Sequence, residues 1–285
     1  MGNAVMKLRT EDITTINIKK INSFSEIELP KDISETLFLI DIDDTIITST
    51  SSWGAVKQFF NMVENACKDG YTPKQAKVGV YPRWLISQSI IRPKLVDPDF
   101  LYFFEQIISS ASVMGLTARQ PFVDGKPSIA NVTAEQLRKL DIKFSILEGL
   151  EFNEKYTKAL HPSEELSAQL NLYDDCQALY HQGILFCHDL NSKGGIFQDF
   201  FKHFKKYCES NKLPLPNRIV VIDDGEHNLR SMYETCTALG LAYEGYHIQS
   251  TNYHFDPLIA KHEEKMLMPR SRSFHDFGKL SGCYR

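Results

Sequence analysis

Residues 37–45 read Leu37-Phe38-Leu39-Ile40-Asp41-Ile42-Asp43-Asp44-Thr45. Four apolar residues with no polar alternation suit a strand buried on both faces, as in a parallel sheet, and the abrupt change to acids marks its carboxyl end. A second stretch repeats the pattern: Ile219-Val220-Val221-Ile222 runs into Asp223-Asp224. Two further short strands are expected at Ser112–Leu116, which leads into Thr117-Ala118-Arg119, and at Gly183–Cys187.

Between these runs the periodicity turns helical. Asp97-Pro98 has the form of an N-cap followed by proline at the first helical position, and Phe100, Leu101, Phe104, Ile107 and Ile108 follow at helical spacing. Thr133-x-x-Gln136 has the form of a capping box opening another helix, with Leu137 and Leu140 on its apolar side. Lys193-Gly194-Gly195 opens a helix with Phe197, Phe200, Phe201 and Phe204 on one face. A further helix runs from about His227 to Gly240, a suitable C-terminal cap, and Ala242–Ile248 forms a strand. Ile142–Ile146 is expected as another strand and Ile27–Leu29 as an edge strand. Strands alternating with helices predict an α/β fold with a central parallel sheet flanked by helices.

The 285 residues suit one large domain or a core with an inserted cap. Two stretches exceed ordinary loops, about Ser51 to Val96 and about Glu148 to His181, and are expected to fold over the sheet's carboxyl edge. The divisions are an N-terminal extension (1–34), a core (35–50 and 97–256, with the 148–181 insertion), a mainly helical cap (51–96) and a charged tail (257–285). That tail carries Arg270, Arg272, Lys279 and Arg285 and reads as a solvated tail or surface helix.

Hydrophobic residues make up 42%, enough for a sizeable core. A formal net charge of -4 gives no global attraction to nucleic acid or membrane, and no apolar run is long enough to span a bilayer. The first residues lack an apolar signal core, and Met6 stands where a myristoylation site has Ser or Thr. The six cysteines form no Cys-x-x-Cys pair and read as reduced, mostly buried thiols of a cytoplasmic protein. The histidines show no zinc spacing.

Open parallel sheets bind ligands at the carboxyl ends of their strands. Asp41, Asp43 and Asp44 after one strand and Asp223 and Asp224 after another therefore converge if both strands are central. Like charges so close repel strongly, so the cluster calls for a cation, and oxygen donors favour Mg2+. The Thr117 hydroxyl can donate to a phosphate oxygen. Lys193 brings a cation to a helix start, where the dipole also favours anions. Together these groups suit a phosphoryl group.

The four stretches together resemble the haloacid dehalogenase (HAD-like) superfamily over roughly residues 35 to 250. Residues 37–45 match its first motif, an apolar run then Asp-x-Asp-x-Thr. Val113 to Thr117 match the second, Lys193 the third, and Ile219 to Asp224 the fourth. The likeness is closest to a little-characterised bacterial subgroup of phosphatase type, and it implies a Rossmannoid core with an inserted cap.

By that resemblance Asp41 would attack phosphorus, giving an aspartyl-phosphate, and Asp43 would protonate the leaving oxygen and then activate water. Asp at position 43 argues against carbon–halogen chemistry. Mg2+ would be held by the Asp41 carboxylate, the Asp43 carbonyl and one or both of Asp223 and Asp224. Asp224 is favoured as the direct ligand, because Asp224-x-x-x-Asn228 fits the longer form of the motif. Asp223 would then bind through water or brace Lys193. Thr117 would hydrogen-bond the phosphate and Lys193 would offset charge. Lys139, Lys143, Lys155 and Lys158 also lie between the second and fourth motifs, and the Gly-Gly step with its phenylalanine-faced helix favours Lys193. Asp44 is expected to point away and cap the turn, and Arg119 either touches substrate or is solvated.

In this superfamily the cap usually selects the substrate. Trp53, Tyr81, Arg83, Trp84 and Arg92 in the first insertion would stack on a base, grip a second anionic group, or form the cap's own core and rim. The second insertion offers Tyr156, His161, Tyr173 and Tyr180 without a motif. The expected activity is Mg2+-dependent hydrolysis of a small phosphorylated metabolite or nucleotide. A phosphotransferase or mutase needs the same motifs. A non-catalytic binding protein, or a secreted bacterial effector whose basic tail serves export, is the reading from another class.

Overall fold

The computed structural model describes residues 16–30, 32–122, 128–156, 176–188, 192–249 and 255–267. These run β1 (Ile18–Ile21), a 3-10 turn (Phe24–Glu26), β2 (Thr36–Asp41), β3 (Ile47–Ser49), α1 (Val56–Lys68), α2 (Pro73–Ile90), β4 (Pro93–Leu95), α3 (Phe100–Ile108), β5 (Ser112–Thr117), α4 (Ser128–Arg138), β6 (Asn153–Tyr156), β7 (Cys176–His181), β8 (Ile184–Phe186), α5 (Lys193–Asn211), β9 (Arg218–Asp223), α6 (Glu226–Leu239), β10 (Ala242–Ile248) and α7 (Pro257–Leu267). Eight strands form one sheet in the order β1-β10-β9-β2-β5-β8-β7-β6. Neighbours from β1 through β8 are parallel, and β7 and β6 close that edge antiparallel. The fold is thus α/β with a mostly parallel central sheet flanked by helices.

The alternation of side chains along each strand sorts the core into two layers. Phe38 and Ile40 of β2, Val113 of β5 and Val220 and Ile222 of β9 pack with Phe100, Phe103 and Phe104 of α3 and Leu137 of α4. Leu37, Leu39, Met114, Leu116, Ile219 and Val221 face the other way, onto Phe197, Phe200, Phe201 and Phe204 of α5 and Leu229 and Met232 of α6. By the same parity Asp41 and Asp223 belong to the α5 face and Thr117 to the α4 face.

Helix α5 begins where expected, capped by the Ser192 hydroxyl, which accepts from the Gly195 N–H. Its second residue is glycine for a steric reason. A Cβ on Gly194 would meet the Ser231 backbone oxygen and lie 2.6 Å from Thr235 Oγ1, both on α6. This approach lets the Gly194 N–H donate to Ser231 Oγ at 3.2 Å and fixes the height of the preceding Lys193.

Several local expectations are corrected. Ile27–Leu29 adds no strand: Ser23 and Glu26 close a capping box on the 3-10 turn before it, and β1 takes the sheet edge. Asp97 is not the cap of α3, which starts at Phe100 after Asp99. The Asp97 carboxylate instead accepts from the backbone N–H groups of Phe24 and Asp99. Thr133 and Gln136 do not open a helix but sit within α4. Ile142–Ile146 is not a strand; the chain turns at Asp141 with φ of 60° and tucks Phe144 against Gly115. The second insertion does not simply cover the carboxyl edge, since β6 and β7 extend the sheet.

The first insertion holds α1 and α2 on a two-stranded β3–β4 base. Helix α7, from the segment read as a tail, packs against it: Ala260 is buried with Trp53 and Ile86, and the Glu263 carboxylate accepts from Trp53 N and Ser51 Oγ. Arg270, Arg272, Lys279 and Arg285 lie outside the described residues.

Gly194→Ala should force α5 away from α6. An overpacked contact of this kind costs about 1–3 kcal/mol, so the urea midpoint should fall with an unchanged m-value. An unchanged midpoint would show that α5 and α6 can part at no cost.

Candidate functional site

Strands β2 and β9 are adjacent and parallel, with Ile40 opposite Ile222. Their next residues, Asp41 and Asp223, therefore end side by side on the α5 face. The Lys193 ammonium donates to both, to Asp41 Oδ1 and, at 2.7 Å, to Asp223 Oδ2. All three side chains are buried. Of the described lysines open to this role from sequence, Lys193 is the one brought here, and Lys158 lies outside the described residues. Asp41, Asp223 and Asp224 each offer an oxygen within 4.8 Å of the others, a donor set able to hold a cation.

Burial alone would push the Lys193 ammonium down, but Asp223 and Asp41 outweigh it and hold the proton above the usual lysine range. Burial pushes the Asp41 carboxyl well above its usual range; Lys193 pulls against this, while Asp223, Asp224 and Asp43 push with it. Asp224 keeps an exposed edge. Desolvation of the rest of its carboxyl, then the Asp223 charge, raise it to about 7.

Asp223 spends both oxygens within the protein. Besides Lys193, its Oδ1 accepts from Gly225 N at 2.8 Å and Asn228 Nδ2 at 2.9 Å. Its partners are those of a brace, and Asn228 enters the site through it. No hydrogen bond given among the described residues uses Asp41 Oδ2 or either carboxylate oxygen of Asp224, whose backbone oxygen meets His247 Nε2 at 2.9 Å. The loop after β2 is shaped by Asp44, at a left-handed φ of 58° that Asp tolerates. Its N–H donates to Ile47 O and its carboxylate accepts from Thr48 Oγ1, the turn-capping role expected. Thr45, fully buried, accepts the Asp224 N–H at 3.0 Å and so ties the β2 and β9 loops together.

Asp43 lies apart from the Lys193 cluster, on the α4 side. There Arg119 grips it with two bonds, Nε to Oδ2 at 2.8 Å and Nη2 to Oδ1 at 2.7 Å. Arg119 is not solvated. It is buried and bonded to protein, because Thr133 Oγ1 and Gln136 Oε1 of α4 accept from Nη1 and Gln88 Oε1 of α2 accepts from Nη2. Thr117 ends β5 fully buried; its hydroxyl accepts the Arg119 N–H and lies 3.4 Å from Asp43 Oδ2, at the outer limit of a hydrogen bond. Gln88, Thr133 and Gln136 were not singled out as site residues. Their signal was polarity on buried helix faces, which a capping pattern disguised at Thr133 and Gln136.

Beside Asp43 opens a narrow cleft lined by Asp44, Thr48, Ser49, Gln88, Arg92 and Arg119 among others. Trp53 and Trp84 do not line it. Trp84 packs with Phe59 and Val80, and Arg83 pairs with Glu264, so the core-and-rim reading holds for these three. The Tyr81 side chain, His161 and Tyr173 lie outside what the structure describes. Tyr156 and Tyr180 are bonded to Asp199 and the 145–147 backbone, away from this cluster.

The chain belongs to the DUF2608 family, whose description reads "Protein of unknown function"; the family profile matches residues 14–268. A Chlamydia pneumoniae protein named "Putative outer membrane protein" is 21% identical over 216 residues, 76% of this chain and 70% of that protein. No solved structure matches the chain. Among the described residues no helix is long and apolar enough to cross a membrane.

The raised Asp224 carboxyl makes metal-free stability depend on pH. Above its unfolded value of 3.8 the unfolded group has lost a proton that the folded one keeps to about 7. The folded state then binds more protons, so this contribution is lost as pH rises through about 7. In chelator, melting temperature between pH 5 and 8 should fall more steeply for the native chain than for Asp224→Asn. Parallel profiles would place Asp224 in ordinary solvent.

Proposed function

We propose that this DUF2608 member is a Mg2+-dependent phosphohydrolase of the haloacid dehalogenase type, acting through an aspartyl-phosphate on a small phosphorylated metabolite or nucleotide. The observation that carries the reading is the meeting of Asp41 and Asp223 on one buried ammonium at adjacent strand ends, with Asp224 alongside. A purely structural ion pair needs neither a third carboxylate nor an Asp41 oxygen left over.

Hard oxygen donors suit Mg2+. The spare Asp41 oxygen, the Asp43 carbonyl and Asp224 would hold it, with Asp223 as brace. Bound there, Mg2+ would supply positive charge against the phosphoryl oxygens. Asp41, held by Lys193, forms a bond to phosphorus as the ester P–O bond breaks, and the leaving oxygen takes a proton from Asp43. Water then attacks the same phosphorus, giving its proton to Asp43, and the Asp41–phosphorus bond breaks to release phosphate. The Thr117 hydroxyl, beside Asp43, is the donor for a phosphoryl oxygen, and Lys193 offsets charge on the transferring group.

The location proposed is the cytoplasm. Cys208 and Cys236 are buried free thiols, as a reducing compartment allows. Recovery of the native chain in the membrane fraction of the cells that make it would count against this and towards the location in the relative's name.

Purified protein should release p-nitrophenol from its phosphate ester with Mg2+ and not in chelator. Asp41→Asn should lower the rate by about 10^4 or more, the scale of losing a covalent nucleophile, with circular dichroism unchanged. Turnover that survives in Asp41→Asn would sink the reading.

A further inference from the structure

The Arg119 guanidinium has five N–H donors, and all five are used: two on Asp43, two on Thr133 and Gln136 of α4, one on Gln88 of α2. A saturated, buried guanidinium has no donor left for a ligand, so its work is to hold what it touches. Its planar fork fixes both the position and the plane of the Asp43 carboxylate. Oδ2 takes Arg119 Nε and the long contact from Thr117, but Oδ1 takes Arg119 Nη2 alone, so the held carboxylate keeps a lone pair on Oδ1 that can accept a proton from water.

The grip extends into the first insertion. Gln88 receives Arg119 on its amide oxygen, donates from Nε2 to Gly54 O at 2.7 Å, and accepts Gln136 Nε2 on its backbone oxygen at 2.6 Å. Gln88 and Gln136 are both buried, so these bonds form with little competition from water. The seat of α2 on the core is therefore built around the same guanidinium that orients Asp43.

We propose that Arg119 is a positioning residue for Asp43, and that Gln88 couples its grip to the seating of α2, so that the insertion governs how well Asp43 activates water on the aspartyl-phosphate. This rests on the phosphohydrolase reading above. p-Nitrophenolate leaves without help from an acid, so formation of the intermediate needs Asp43 little, whereas its hydrolysis needs Asp43 as base.

The test compares native chain, Arg119→Lys and Gln88→Leu with Mg2+ and p-nitrophenyl phosphate in rapid mixing. Arg119→Lys keeps the charge and loses the fork. It should show a burst near one p-nitrophenol per active site, then a steady rate lower by about tenfold to a hundredfold, the scale of misplacing a catalytic group. KM should not rise. Gln88→Leu should show the same pattern more weakly. Amide hydrogen exchange in α2 should quicken in both variants. Burst and steady rate falling in equal proportion would mean a merely structural role and overturn the proposal, as would unchanged kinetics. If the native chain has no turnover, the phosphohydrolase reading fails instead, and the exchange comparison alone decides the link: unaltered α2 protection would overturn it.

Discussion

The Lys193 ammonium supplies the countercharge for two carboxylates that the sheet buries. Losing one member of such a buried ionic group costs about 3–5 kcal/mol, a large share of a domain's stability. The contact therefore sets conditions elsewhere. Strands β2 and β9 must be neighbours in register, so that Asp41 and Asp223 end at one height. Helix α5 must begin at residue 193 and lie low enough for a lysine to reach, which the close approach of Gly194 to α6 provides.

The sheet keeps two chemistries on opposite faces. On the α5 side, one cation serves Asp41 and Asp223 and leaves oxygen donors spare. On the α4 side, one guanidinium holds Asp43 with every donor committed. The loop carrying Asp43 and Asp44 crosses from one side to the other within three residues of Asp41. Such a crossing needs the left-handed turn at Asp44, bonded to Ile47 and Thr48.

The strands at the centre were legible because burial on both faces writes itself as an unbroken apolar run ending in acids. Helices α5 and α6 were legible from phenylalanine spacing and the terminal glycine, Gly240, at φ of 71°. What failed were readings in which a short polar pattern has two meanings. Thr133-x-x-Gln136 spells a capping box, yet its hydroxyl and amide serve a guanidinium that arrives from β5. Ile142 and Phe144 are buried like strand residues but fill space beside Gly115 without pairing. The Asp41–Lys193–Asp223 cluster could be anticipated because each member follows a readable strand or opens a readable helix. The Gln88–Arg119–Gln136 cluster could not, since its members come from a loop and two helices whose mutual orientation no local pattern encodes.

The two-layer sorting of β2 also makes residue count part of the chemistry. Because side chains alternate, one residue lost or gained between Leu37 and Asp41 would exchange the layers beneath the strand and carry Asp41 to the α4 side. There it would face Arg119 instead of Lys193. Evolution can vary the apolar identities along β2 while their volumes fit, but it can change the strand's length before Asp41 only in steps of two.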